Sequence, residues 1–178
     1  MGPQPHSDRP RLVRRDAVGS LLLLVVVALV VLRPWEGDAD AGPAAGTALV
    51  TRVVDGDTVE AQIEGEIEDV RLIGVDTPET VKPGAPVECF GPQASHFSHR
   101  LLEGRRLRLV FGEERRDAYG RLLAYAYLGE RFVNAALVRR GLARTLTIPP
   151  NDRFAPLLRR LELRAARTGK GLWGACPP

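Results

Sequence analysis

VRLIGVDTPET, residues 70–80, reads as a buried β-strand running into a turn. Val70, Leu72, Ile73 and Val75 are strand formers, and Asp76-Thr77-Pro78 punctuates a strand end. Yet this apolar stretch carries a cation, Arg71, near its start and two carboxylates, Asp76 and Glu79, near its close. Outward from it, ALVTRVV (48–54) and TVEAQI (58–63) are strand-like and flank Asp55-Gly56-Asp57, a turn signal. IEDVRLIGV (67–75) is the third strand, RRLRLVF (105–111) a half-buried fourth, and LLAYAYL (122–128) a fifth.

Helical patterns fill the rest. GPQASHFSHRLLEG (91–104) has Pro92 in its first turn and Gly104 at its end. VNAALVRRG (133–141) is short and stops at Gly141. NDRFAPLLRRLELRAARTG (151–169) spaces Phe154, Leu157, Leu158, Leu161 and Ala165 on one face, with Asn151 or Asp152 as cap, Pro156 in the first turn and Gly169 as stop. Five strands, a helix between the third and fourth, and helices after the fifth predict a five-stranded Greek-key β-barrel with about three helices, an α+β domain of the OB-fold pattern.

The chain has 178 residues, 44% hydrophobic and 26% charged, which excludes a disordered chain and suits one domain with a short appendage. Its net charge is +3. Five Arg and five acids cancel within residues 1–40, leaving 20 of the 25 basic and 17 of the 22 acidic groups in residues 41–178. That mild excess permits a polyanionic partner without demanding one. Residues 1–16 are basic, with Arg9, Arg11, Arg14 and Arg15, and they precede an uncharged run, 17–32. Such an arrangement matches a signal anchor or a signal-peptide core. A membrane-anchored domain outside the cell is expected, or a secreted one if the chain is cut near Ala39-Asp40-Ala41. Residues 33–47, rich in Gly, Ala, Pro and Asp, read as a linker, and the domain as 48–176.

Asp57 and Asp76 fall at the ends of strands expected to share one sheet. Converging carboxylates repel unless a cation lies between them, and oxygen ligands suit Ca²⁺ or Mg²⁺. Two side-chain carboxylates cannot fill such a shell, so carbonyl, water and substrate oxygens must complete it, which leaves a site open for chemistry. Arg71 and Arg121, in DAYGRLLAY (117–125), carry forks of donors that match phosphate. For either alone, an ion pair with Asp or Glu is the simpler account. Together with a metal and a carboxylate, Glu79, to orient or deprotonate water, they make a phosphodiesterase. Arg71 and Asp76 have opposite parity in a regular strand, so they converge only if the chain is already turning at Asp76. His96 and His99 have no third ligand nearby in sequence. The arginines at 105, 106, 108, 115 and 116 are accounted for as solvated faces, or as a track for a nucleic-acid backbone.

VVDGDTV, VRLIGVDTPET, GPQAS, DAYGRLLAY, VNAALVRRGLA and the closing GLW together resemble the staphylococcal nuclease family, in order over roughly residues 48–174. The resemblance implies an OB-fold barrel with three helices and a Ca²⁺-dependent nuclease of DNA and RNA leaving 3′-phosphates. It implies metal ligation by Asp57, Asp76 and the Thr77 carbonyl, phosphate binding by Arg71 and Arg121, a water-activating role for Glu79, and a substrate contact at Tyr119. One departure stands out. A tyrosine pair lines the nucleotide pocket in the family's best-known member, whereas this chain has RTLTIPPND (144–152), with Thr147 near the position of one tyrosine.

The expected partners are DNA or RNA and, through the N-terminal run, a membrane; a monomer is expected. The alternative is a catalytically silent OB-fold module that binds nucleic acid or protein at the cell surface. Such a module should have lost one of Asp57, Arg71, Asp76, Glu79 or Arg121, and all five are present. The two cysteines, Cys89 and Cys176, are expected to pair if the chain is exported, and to be free thiols otherwise.

Overall fold

The structure is a computed structural model and describes residues 1–2, 45–81, 84 and 86–176. The basic segment and the apolar run 17–32 lie outside the described residues, as does all but the end of the linker. Among the described residues no helix is long and apolar enough to cross a membrane.

Five strands close the barrel: β1 (Ala45–Asp55), β2 (Thr58–Ile63), β3 (Glu66–Leu72), and two strands further along the chain. The two-residue β4 (Val75–Asp76) follows β3, then helix α1 (Gly91–Leu102), β5 (Arg106–Arg116) and β6 (Leu122–Leu128). β1 pairs antiparallel with β2 and β5, β2 with β3, and β5 with β6. A parallel β3–β6 pairing, with Arg71 opposite Leu123, closes the ring. This order is that of an OB-fold barrel. Alternation supplies the core: Val59 and Ala61, Val70 and Leu72, Leu107 and Leu109, and Ala124 and Ala126 all point inward and are buried.

The short β7 (Arg131–Phe132) leads into α2 (Val133–Arg139); β8 (Arg144–Thr145), α3 (Ala155–Arg167) and the single turn α4 (Leu172–Ala175) complete the chain. β1 begins at Ala45, inside the stretch read as linker, and β5 runs five residues past Phe111. The 67–75 run is not one strand. It breaks at Ile73-Gly74, where Gly74 has φ +78° and an added Cβ would meet Leu158 Cδ1 at 2.6 Å. A side chain there would suffer both left-handed strain and a clash with α3.

α3 starts at Ala155 with Phe154 at its cap, so neither Asn151 nor Asp152 caps it by side chain. Asn151 is instead a clamp on β5: its Oδ1 accepts from Glu114 N at 3.2 Å and its Nδ2 donates to Glu114 O at 2.9 Å. A buried polar side chain is best satisfied by an unpaired backbone segment, and β5 offers one beyond Phe111.

Candidate active site

The β3–β4 break puts the site together. Arg71, near the end of β3 and 13% exposed in its side chain, donates through Nη1 to the carbonyls of Leu72 (3.0 Å) and Val75 (2.7 Å). Nη2 donates to Asp76 Oδ1 at 3.0 Å, and Nη1 lies 3.2 Å from Asp57 Oδ2. One guanidinium therefore bridges both carboxylates read as metal ligands and fastens the turn between them.

Asp57 lies in the β1–β2 turn and is buried. Its Oδ2 accepts from Thr77 N (2.7 Å) and Thr77 Oγ1 (3.0 Å), and its Oδ1 from Thr58 Oγ1 (3.1 Å). The turn must carry glycine, because a Cβ at Gly56 would meet Thr77 Oγ1 at 2.7 Å. The Gly56 carbonyl accepts from the buried Ser98 hydroxyl of α1 at 2.5 Å.

Asp55 is also buried, a placement that its Asp-Gly turn motif did not reveal. Its Oδ1 accepts from Gly56 N and Thr80 Oγ1, both at 2.7 Å. Burial raises the Asp55 carboxyl above its ordinary value against the pull of those two bonds, and the charges of Asp57 and Glu79 add to the rise. Although the Asp76 side chain keeps 54% of its exposure, the protein packed about it raises its carboxyl too. Arg71 opposes that rise, while Asp57, Glu88 and Glu79 add to it. Both shifts are chiefly the cost of burying a charged carboxylate, with neighbouring carboxylates adding a smaller share.

Among the described residues no three His, Cys, Asp or Glu side chains form a metal cluster by themselves. The all-oxygen donors of Asp57 and Asp76, converging on Arg71, fit a hard cation whose shell is completed by carbonyl, water or phosphate oxygens. His96 and His99 are not brought together as a metal pair: His99 Nδ1 lies 3.0 Å from Oε2 of Glu103, the C-cap of α1, and His96 is exposed.

Glu79 lies beyond the turn. Its Oε1 accepts from Thr80 N (2.9 Å) and Val81 N (2.8 Å), which fixes the carboxylate's orientation. Arg121 immediately precedes β6 and is held by Asp117, whose Oδ2 accepts from Arg121 Nε at 2.7 Å and whose Oδ1 accepts from the amides of Tyr119 and Arg121 at 3.0 Å each. Burial alone would raise Asp117, but the bonds from Arg121 and Tyr119 outweigh it and lower its carboxyl. Tyr119, 85% exposed, lies beneath the Arg121 guanidinium at 5.3 Å. Arg71, Arg121 and Tyr119 line one cleft of about 410 Å³, with Leu146 and Ile148 on its rim. Those two, rather than Thr147, occupy the wall.

Three positioning residues escaped the sequence reading. Asp117 sets both Tyr119 and Arg121. Asn134, buried at the start of α2, accepts from Ala126 N (3.0 Å) and donates to Ile73 O (2.7 Å), latching the β3–β4 break to β6. Glu162 of α3 accepts from Thr145 N (2.8 Å) and Oγ1 (2.7 Å), holding β8 against β4, where Arg144 is the register partner of Asp76. A buried Asn or Glu leaves no periodic signature, so only the Asp-x-Tyr-x-Arg spacing offered a clue, as an Asx turn.

An OB-fold barrel that joins Asp57, Arg71 and Asp76 at one edge and sets Arg71 and Arg121 on one cleft, which Asp57, Asp76 and Glu79 do not line, has the groups that phosphodiester hydrolysis needs. The family model for the staphylococcal nuclease homologue matches residues 69–175. The thermonuclease of Staphylococcus intermedius is 38% identical over 169 residues, covering 90% of this chain and 99% of that one. The thermonuclease of Staphylococcus hyicus is 36% identical over 160 residues, 85% of this chain and 95% of its own. Endonuclease YncB of Bacillus subtilis is 38% identical over 124 residues, 68% of this chain and 59% of that protein. The chain belongs to the staphylococcal nuclease homologue family, and its enzyme class is nuclease.

Proposed function

We propose that this chain is a Ca²⁺-dependent nuclease that hydrolyses DNA or RNA and leaves 3′-phosphate ends, acting as a monomer outside the cytoplasm. The observation that supports it best is the Arg71 bridge. One guanidinium contacts both Asp57 and Asp76 and lines the same cleft as Arg121 and Tyr119. Asp57, Asp76 and the Thr77 carbonyl would hold the ion, which when bound neutralises charge developing on the phosphoryl oxygens.

The chain's own residues account for the remainder. Arg71 and Arg121 grip the phosphate; on Arg121 only Nε has a carboxylate partner among the described residues, and its two Nη groups keep their fork for an anion. As the attacking water adds to phosphorus, negative charge grows on the oxygens these forks contact. Each contributes ~10²–10³-fold by analogy with oxyanion-hole donors. Glu79, oriented by the Thr80 and Val81 amides, accepts the proton of that water, a role worth ~10²–10⁴-fold. Scission that leaves a 3′-phosphate breaks the P–O bond to the 5′ oxygen. Tyr119 and the aliphatic rim contact the nucleotide.

Export is supported by the basic and apolar order of residues 1–32 and by the Cys89–Cys176 disulfide, which suits an oxidising compartment. The test is digestion of plasmid DNA and of RNA by the purified protein with Ca²⁺, with Mg²⁺ and with chelator. Cleavage in Ca²⁺ that chelator abolishes is expected. Binding of nucleic acid without cleavage in any of the three would mark the silent OB-fold module instead.

A further inference from the structure

The segment that carries Glu79 is closed by its own two ends. Glu88 N donates to Glu79 O at 2.9 Å, and Glu79 N donates to Glu88 Oε2 at 3.2 Å. The next residue, Cys89, is disulfide-bonded to Cys176 across 87 residues of sequence. Cys176 follows α4, whose Leu172 is buried and whose Leu172 N donates to Gly141 O at 2.9 Å at the end of α2. The bridge thus ties the Glu88 end of the segment to the helical side of the domain. Near its two ends, Val81 and Val87 are 54% and 59% exposed and add little apolar packing. The stem is also held at Thr80, whose Oγ1 donates to Asp55 Oδ1 at 2.7 Å and which Gly91 of α1 backs so closely that a Cβ there would meet Thr80 Cγ2 at 2.7 Å.

We propose that Glu88 is a positioning residue for Glu79 and that the Cys89–Cys176 bridge holds Glu88 there, so that reduction of the bridge slows hydrolysis. The proposal rests on the nuclease reading and adds its dependence on oxidation state. Cys89 is exposed and Cys176 half-buried, within reach of a small dithiol. A thiolate of the dithiol attacks one sulfur, the S–S bond breaks, and its second thiolate resolves the mixed disulfide. Two electrons and two protons pass to the protein, which then carries two thiols, and the reductant leaves as its own disulfide. The chain made in a reducing compartment is the slow form, and oxidation completes the site. Because the Thr80–Asp55 bond and Gly91 still hold the stem, the loss is graded, of the size expected for a group displaced by a fraction of an ångström, ~10-fold or more.

The experiment compares the full chain, oxidised and after dithiothreitol, with Cys89→Ser/Cys176→Ser, Glu88→Ala and Glu88→Gln. It reads kcat and KM on single-stranded DNA, and amide hydrogen exchange at Glu79 and Glu88. Reduction, the double serine variant and Glu88→Ala should each lower kcat ~10-fold or more with KM little changed, and should lower protection of the Glu79 amide. Glu88→Gln keeps an acceptor and should keep turnover. Unchanged exchange at Glu79 on reduction, in protein still folded by circular dichroism, overturns the proposal whatever the rates do. An oxidised wild-type protein that cleaves nothing overturns the nuclease reading instead, and the exchange measurement still decides the coupling.

Discussion

Arg71 and Asp76 would face opposite sides of an unbroken strand, yet the guanidinium and carboxylate are 3.0 Å apart. The break at Ile73-Gly74 reverses the parity, and the carbonyls of Leu72 and Val75 that it exposes are taken up by the same guanidinium. The cation that serves the site also holds the turn that makes the site.

Arg71→Lys should therefore fail twice. An ammonium cannot span two carbonyls and two carboxylates, so the turn loosens and the phosphate fork is lost. We expect kcat/KM to fall by ~10²-fold or more, with a lower melting temperature. Near-normal turnover in steady-state kinetics would make Arg71 purely structural.

Glu79→Gln keeps shape and removes the base. Turnover should fall ~10²-fold or more while KM for single-stranded DNA stays close to wild type. A large rise in KM with kcat intact would assign Glu79 to binding.

The acidic cluster sets a pH signature. Asp55 and Asp76 have carboxyls raised in the folded protein. They bind protons more tightly folded than unfolded, so their contribution to stability is full at acid pH and is lost as the pH rises from the ordinary aspartate range through the raised values. A bound cation offsets that loss. Ca²⁺ should raise the melting temperature at pH 7, by the equivalent of ~2.7 kcal/mol at a hundred times its Kd. The shift should fade as the pH falls through the raised values of the Asp55 and Asp76 carboxyls, where protons compete with the cation. Calorimetry across that range checks it, and an undiminished shift in Asp76→Asn would remove Asp76 from the ligand set.

Glu162 gives the opposite sign. Burial favours its neutral form, but the bonds from Thr145 and Arg159 outweigh it and lower the carboxyl. Its contribution is present above the ordinary glutamate value of about 4.3 and is lost as the pH falls through the lowered folded value. Glu162→Gln should cost ~1–3 kcal/mol at neutral pH, and the gap from wild type should close on acidification. Urea melts of both proteins over the acid range decide this.

The aliphatic rim predicts weak base stacking. Ile148→Tyr or Leu146→Tyr should strengthen single-strand binding by ~1–3 kcal/mol per stacked base, measured by fluorescence titration with an oligonucleotide. No gain from either would mean that bases do not lie on that wall.

Most of the barrel was legible because its signals are local. The alternation of RRLRLVF, Asp-Gly at a hairpin, and Pro92 and Pro156 in first turns are each signals carried within a few residues. Residue chemistry at the strand ends likewise named Asp57, Arg71, Asp76 and Arg121, and the family resemblance added Tyr119; the structure brings Asp57, Arg71 and Asp76 into contact and Arg71, Tyr119 and Arg121 onto one cleft. What pattern could not supply were the contacts made across sequence distance. Leu158, 84 positions on, packs where a side chain at Gly74 would lie; the Asn134 latch joins helix to strand turn; Asn151 holds β5 rather than a cap; and Leu146 and Ile148, not Thr147, line the cleft. A residue's type and its neighbours determine which local conformation it favours and which chemistry it can perform. Only packing decides which carbonyl it must satisfy and which side chain it meets, because those partners arrive when the chain closes on itself.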